Sequence, residues 1–291
     1  MKHVAILGLG LMGGSLGLAL KRRGLADCVS AYARRAETRA RALDHGMVDE
    51  AFDDPEAAVR DADLTVVCVP ILATVDLIRR CRAGLKPGAI VTDVGSTKVA
   101  VAQEAEEAVA GTGTTFIGSH PIAGSEQQGI ESAREVLYDN AWVVVTPRDA
   151  GADAAETERL ADFWRSVGGR TQILAAARHD EVLARTSHLP HMVAVSLAAT
   201  VGRGDDVTHL AHFCGTGFRD TTRIAGGSPE VWLDILRTNR QNVVQELTAF
   251  RNVLDELIRQ LQGDEFKAVE MFLKQTQAVH EALTRDVDTT G

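Results

Sequence analysis

Residues 1–20 read MKHVAILGLGLMGGSLGLAL, an apolar run over residues 4–7 that ends on Gly8-Leu9-Gly10-Leu11-Met12-Gly13. A GxGxxG string alone is a weak signal, but one that directly follows a strand and opens a helix specifies a geometry. The first glycine permits a tight turn, the second lets a pyrophosphate approach the backbone, and the third brings helix and strand close. The helix N-terminus then faces the anion. The stretch is as hydrophobic as a short signal peptide, yet four glycines fall between Gly8 and Gly14 and no small-residue cleavage site follows cleanly. It reads as a strand, a turn and a helix, with Gly8, Leu9, Gly10, Leu11, Met12 and Gly13 as dinucleotide-binding candidates.

The same rhythm continues outward. Apolar runs at residues 29–32, 64–69, 89–93 and 116–118 alternate with helical patterns such as residues 36–45 and 98–109. Such alternation predicts βαβ units. Runs like LTVVCV and AIVTDV are continuous and show no apolar/polar alternation, as expected of parallel strands buried on both faces. Two later runs, residues 142–146 and 171–174, flank a helical pattern at 154–167 and are expected to extend the same sheet. Beyond residue 175 the strand signals stop, and helical periodicity covers residues 180–201, 231–261 and 265–283. The second of these is longer than the usual globular helix, so it is expected to pack along a partner, within the chain or in a second copy. The expected architecture is α/β: a Rossmann-like dinucleotide-binding domain over residues 1–174, then an all-helical substrate and dimerisation domain over residues 175–291.

Composition narrows the function classes. The 291 residues are 45% hydrophobic and 24% charged, with 26 Gly and only 7 Pro, which excludes disorder and collagen-like structure. Lys plus Arg number 31 against 40 for Asp plus Glu, a net charge of -9, and no segment has the basic density of a phosphate-backbone binder. Nucleic acid is not an expected partner. Cys28, Cys68, Cys81 and Cys214 are widely spaced and form no CxxC pair, which fits a reducing cytoplasm. No stretch reaches the roughly 18 apolar residues of a membrane span.

Where a ribose-binding acid is expected, at the end of the second strand, the sequence reads Ser30-Ala31-Tyr32-Ala33-Arg34-Arg35. A carboxylate there would repel a 2′-phosphate, whereas two guanidiniums would pair with it. Arg34 and Arg35 therefore point to NADP over NAD, unless they only solvate the next helix. Three polar clusters are candidates to meet over a nicotinamide. In Asp93-Val94-Gly95-Ser96-Thr97-Lys98, Ser96 is either a site residue or the N-cap of the following helix. In residues 118–126, GSHPIAGSE, His120 is followed at once by Pro121, so it is expected on a rigid loop and not mid-strand. In Ser187-His188-Leu189-Pro190-His191, two imidazoles share a helical face beside a proline kink. That HxxH lacks a third ligand and is not a zinc pattern. Further on, Arg219 and Arg223 flank Asp220, and an arginine here is either a carboxylate clamp or half of a surface ion pair.

Taken in order, the glycine turn, VCVP at residues 67–70, TDVGSTK at 92–98, SHPIAGSE at 119–126, SHLPH at 187–191 and GFRDTTRIA at 217–225 resemble the prephenate/arogenate (cyclohexadienyl) dehydrogenase family over nearly the whole chain. The resemblance implies an oxidoreductase that oxidises and decarboxylates prephenate, or its amino counterpart arogenate, in tyrosine biosynthesis. It implies that His120 accepts the proton of the ring 4-hydroxyl as hydride passes to nicotinamide. Ser96 would bond the same hydroxyl and orient nicotinamide, with Val69 and Pro70 also on the cofactor side. His191 and Arg223 would hold substrate oxygens, His188 would support the pocket, and Glu126 would stand at its entrance and pair with an arogenate ammonium. A homodimer through the C-terminal helices is expected from the long helical pattern over residues 231–261. Family members with an acid after the second strand differ from this chain, so NAD does not simply carry over. The chain is expected to leave no room for an attached chorismate mutase or regulatory domain, so any tyrosine feedback is expected to act at the active site. Two rivals stand beside this reading. A β-hydroxyacid dehydrogenase would need a helix-borne lysine, which residues 180–201 lack; the other is a non-catalytic NAD(P)-binding redox sensor.

Overall fold

Short aliphatic runs punctuated by glycine and helix-starting residues produce a regular alternation in the first half of the chain. The computed structural model describes residues 1–123, 127, 129–148, 153–204 and 207–285. Its first elements are β1 (His3–Leu7), α1 (Leu11–Arg23), β2 (Cys28–Tyr32), α2 (Ala36–Asp44), β3 (Glu50–Phe52), α3 (Pro55–Val59), β4 (Leu64–Val67), α4 (Ile71–Cys81), β5 (Ile90–Asp93), α5 (Val99–Val109) and β6 (Thr115–Phe116). The six strands form one sheet in the order β3-β2-β1-β4-β5-β6, and every pair is parallel. This is a Rossmann-like doubly wound sheet. Leu7 lies opposite both Tyr32 and Val67, and Val67 opposite Asp93. The carboxyl ends of four strands are thereby flush, and the loops after them open on one edge, at the point where the strand order reverses.

The core lies on both faces of this sheet. Val4, Ile6, Leu16, Leu20, Val29 and Trp164 belong to one apolar cluster, and Leu7, Ile78, Val91, Val101 and Phe116 to the other. β4 and β5 are buried at every residue, including the polar Thr65, Thr92 and Asp93, as befits central parallel strands covered on both faces. The strand β3 was not evident in the sequence. It has three residues at the sheet edge, with Glu50 exposed, and so carries no apolar run.

The chain then departs from expectation. β7 (Gly118–Pro121), β8 (Trp142–Thr146) and β9 (Arg170–Ile173), with α6 (Ala154–Val167) between the last two, form a separate three-stranded sheet instead of extending the first. The cause is local. Beyond Ile117, whose N–H still bonds Val91, the next group in line is not a ladder partner but a side chain: Ser119 N–H donates to Asp93 Oδ1 and Ser119 Oγ to Asp93 O at 2.7 Å. β7 peels away and pairs antiparallel with β8.

The remainder is helical: α7 (Ala176–Leu183), a π-helical turn over Ala184–His188, α8 (Leu189–Val201), α9 (Val207–Ala211), α10 (Thr216–Thr222), α11 (Pro229–Thr238), α12 (Arg240–Gln262) and α13 (Phe266–Thr284). The π turn sits immediately before Pro190, whose missing N–H and bulky ring disturb the preceding turn. The single long helix expected over residues 231–261 is instead broken at Asn239, with φ -120° and ψ 27°. Its side-chain amide donates to the carbonyl of Asp180 at 2.8 Å, a tertiary bond that periodicity cannot reveal. Contacts divide the chain into two compact units, Met1–Val243 and Val244–Gly291. In the second, Ile258, Leu261, Met271, Leu273 and Val279 are exposed apolar residues. Among the described residues no helix is long and apolar enough to cross a membrane.

Candidate active site

Gly8 has φ 110°, a backbone open to glycine, and its N–H bonds the Tyr32 carbonyl at 2.9 Å. A Cβ on Gly13 would overlap the Gly8 carbonyl oxygen, so α1 lies directly against the turn. At Gly10, by contrast, a Cβ would meet nothing within 4 Å. Gly10 is also the N-cap of α1 and offers no side chain to its first N–H groups. Open space at an uncapped helix N-terminus fits the anionic bridge of a dinucleotide.

From this turn a cleft of about 980 Å³ passes Leu9, Tyr32, Ala33, Arg34 and Arg35 and reaches Arg41 and His45. Arg39 donates to the carbonyls of Ala33 at 2.8 Å and Arg34 at 3.0 Å, which fixes the loop after β2. Glu37 and Asp44 lie in the same lobe, so its charge is mixed. A second region of about 670 Å³ shares Gly10, Cys68, Val69, Pro70 and Gly129 with the first, and the two are continuous. Leu11, Met12, Val94, Gly95, Ser96, His120 and Pro121 line its sheet side; Ser187, His191, Arg223 and Trp232 line its helical side.

Ser96 is not a helix cap. The N–H groups of Lys98 and Val99 at the start of α5 are taken by the Asp180 carboxylate, at 2.8 and 3.0 Å, from the head of the helical region. That leaves the Ser96 hydroxyl on the cleft wall.

His120 is not on a loop. It is the third residue of β7, opposite Val144. The expectation failed because Pro121 is harmless there: β7 is an edge strand, and Ile122 N–H bonds Trp142 O at 2.7 Å, which puts Pro121 at a position whose nitrogen faces away from β8. His120 is 8% exposed and lines the cleft. Its Nδ1 lies 2.8 Å from His179 Nε2, and His179 Nδ1 lies 2.8 Å from Asp180 Oδ1. Burial, with His179, Lys98 and His188 nearby, holds His120 well below the ordinary imidazole range, so the resting ring is neutral. Beneath it, the fully buried Lys98 donates to Asp93 and to the Ser119 carbonyl. Burial lowers the Lys98 pKa while Asp93 opposes that shift.

His191 stacks on Trp232 with ring centroids 3.4 Å apart, and burial lowers its pKa. His188 does not line the cleft. It is buried behind Trp232, edge-on to it, and its Nδ1 meets the Asn239 amide at 3.2 Å. Arg223 is exposed and lines the cleft; Arg219 and Asp220 do not line it. Gly13 is buried behind the turn. Glu126 falls outside the described residues. Sequence reasoning missed His179, Asp180, Trp232 and Asn239 as site residues. The adjacent His-Asp pair was the available signal, but its partner is 59 residues away.

Comparison with known proteins agrees with this architecture. Residues 16–173 match the family described as prephenate dehydrogenase, nucleotide-binding domain, and residues 175–283 match prephenate dehydrogenase, dimerization domain. A cyclohexadienyl dehydrogenase of Zymomonas mobilis is 34% identical over 289 residues, 99% of this chain and 98% of the relative. A prephenate dehydrogenase of Bacillus subtilis is 31% identical over 260 residues, 88% of this chain and 70% of the relative. Among solved structures, prephenate dehydrogenase from A. aeolicus in complex with hydroxyphenyl propionate and NAD+ superposes with a TM-score of 0.89 at 29% identity, covering 97% of this chain and 98% of that one. Synechocystis arogenate dehydrogenase superposes with a TM-score of 0.84 at 32% identity, covering 97% and 100%. The chain belongs to the prephenate dehydrogenase family.

Proposed function

We propose that this protein is a prephenate dehydrogenase, oxidising prephenate with loss of CO2 to 4-hydroxyphenylpyruvate in tyrosine biosynthesis, with NADP favoured over NAD. The observation that carries the reading is that His120 from the sheet side and Arg223 from the helical side line one cleft, continuous with the glycine turn. Gly8 to Gly13, Val69 and Pro70 hold the dinucleotide, which supplies a hydride acceptor. Arg34 and Arg35 take the 2′-phosphate, and no carboxylate at Ala33 repels it. Residues 1–174 serve the cofactor, and residues 175–291 serve the substrate and a second copy of the chain, in a cytoplasmic homodimer.

The chemistry asked of the protein is modest. Arg223 clamps a carboxylate of the substrate, His191 on its Trp232 platform meets another oxygen, and Ser96 bonds the ring hydroxyl. His120 Nε2 accepts the hydroxyl proton as C4 loses hydride. The C–CO2 bond then breaks, its electron pair completes the aromatic ring, and the phenolic oxygen recovers its proton from His120. Charge and atoms balance with no net proton consumed. His188 supports the wall through Trp232.

A second reading, use of arogenate or of both substrates, is supported by the 34% identity to a cyclohexadienyl dehydrogenase. On that reading Glu126 pairs with the substrate ammonium. Steady-state kinetics with two substrates and two cofactors test both: prephenate with NADP is expected to give the highest kcat/KM. A clear preference for NAD sinks the assignment to Arg34 and Arg35, and an arogenate/prephenate ratio unchanged by Glu126→Gln removes Glu126 from discrimination. Cofactor binding without turnover of either substrate would favour a redox sensor.

A further inference from the structure

His120 is the cleft-side end of a chain of three buried groups. His179 is 0% exposed and Asp180 1% exposed, and neither lines the cleft. Asp180 already accepts the N–H groups of Lys98 and Val99, so it is held as a carboxylate, a pure acceptor. The third contact, at Oδ1, must then receive a proton from His179 Nδ1. Neutral His179 therefore presents a bare Nε2 to His120, and the bond between them needs its proton on His120 Nδ1. The Nε2 of His120 is left as a lone pair, the form a general base requires.

Resting on the function proposed above, we infer that His179 and Asp180 are positioning residues for the reaction: they fix the tautomer of His120 and take up, through its Nδ1, the positive charge that arrives when Nε2 accepts the hydroxyl proton.

The surroundings argue for such a device. A cation confined to His120 would sit in a buried position facing Lys98 from α5, His188 from the π turn and His179 from α7, with Asp93 already paired to Lys98. Charge passed to His179 instead lies against the Asp180 carboxylate at 2.8 Å. The proton is also needed back when the ring becomes aromatic, so an internal resting place serves better than release to solvent. The Asn239 amide on the Asp180 carbonyl and the α5 N–H groups, Lys98 on Oδ1 and Val99 on Oδ2, hold the pair in place, and Oδ1 serves His179 as well.

Two variants separate the roles. His179→Phe removes both acceptor and charge carrier; in His179→Gln the amide oxygen still accepts from His120 Nδ1 but cannot take a proton. For His179→Phe, kcat is expected to fall about a hundredfold or more, with KM little changed because the side chain is outside the cleft. The acid limb of kcat is expected to shift in both variants, because His120 then takes up the proton with no neighbour to share it. His179→Gln loses less kcat than His179→Phe. Imidazole 15N shifts of the cofactor-free wild type give an independent reading: His120 is expected to carry its proton on Nδ1. A wild-type His120 protonated at Nε2, or a folded His179→Phe with unchanged kcat and acid limb, overturns the inference. If the wild type turns over neither substrate, the function proposed above fails instead, and the 15N shifts still decide the tautomer.

Discussion

Arg223 is exposed where it lines the cleft, so its substitution reads function with little effect on folding. Arg223→Lys keeps the charge but loses the planar fork, and is expected to raise KM for prephenate about tenfold or more while the Kd for the cofactor stays constant. An unchanged KM removes the clamp. His188 makes the opposite kind of prediction. Its pKa is lowered to about 4, mainly by burial, against an unfolded value of 6.5. Because the folded state disfavours the proton, the stability from a neutral His188 is complete above about pH 6.5 and is lost as pH falls towards about 4, with a ceiling of roughly 3 kcal/mol. Thermal melts are expected to show Tm falling across that window, and falling less in His188→Phe; identical slopes would count against it. The candidate site was legible where a residue type narrows the chemistry: a histidine before proline, glycines at set spacing, and one of two arginines four apart, Arg223, while Arg219 beside Asp220 stays off the cleft. His179, Asp180 and Trp232 were not, because what makes them site residues is a partner far along the chain. Periodicity and composition are blind to that.

Elements differ in how much local sequence controls them. Four strands of the first sheet were readable from mainly apolar runs without polar alternation, because burial on both faces removes the solvent-facing positions; the edge strand β3 was not. Membership of β7, β8 and β9 in a second sheet was not, since the switch depends on Asp93 and Ser119 side chains standing where ladder bonds would be. The break at Asn239 escaped for the same reason: an amide spent on a distant carbonyl interrupts an otherwise helical pattern. The turn between β1 and α1 offers a clean contrast within one element. Gly13→Ala would push a methyl into the Gly8 carbonyl, whereas Gly10→Ala points one into open space. Gly13→Ala is therefore expected to lower both Tm and cofactor affinity. Gly10→Ala is expected to lower cofactor affinity at least tenfold with stability changed by less than about 1 kcal/mol. Equal cofactor affinity in Gly10→Ala and wild type would mean that the dinucleotide does not cross the turn.

At the scale of the whole molecule, loops at the carboxyl edge of the first sheet line one side of the cleft, and residues between Ser187 and Ile235 line the other. The apolar residues left exposed on α12 and α13, among them Ile258, Leu261, Met271 and Val279, are more than a monomer needs to show. Sedimentation is expected to give a dimer mass, and Ile258→Asp to shift it towards monomer; a monomeric wild type would contradict that use of the surface. The account as a whole depends on one imidazole meeting the substrate hydroxyl beside the cofactor. The most direct test is formation of reduced nicotinamide from prephenate by wild type and His120→Asn, with cofactor binding measured on both. Wild-type turnover, a loss of about a hundredfold or more in the variant and an unchanged cofactor Kd are predicted. Turnover by His120→Asn at the wild-type rate would contradict the account.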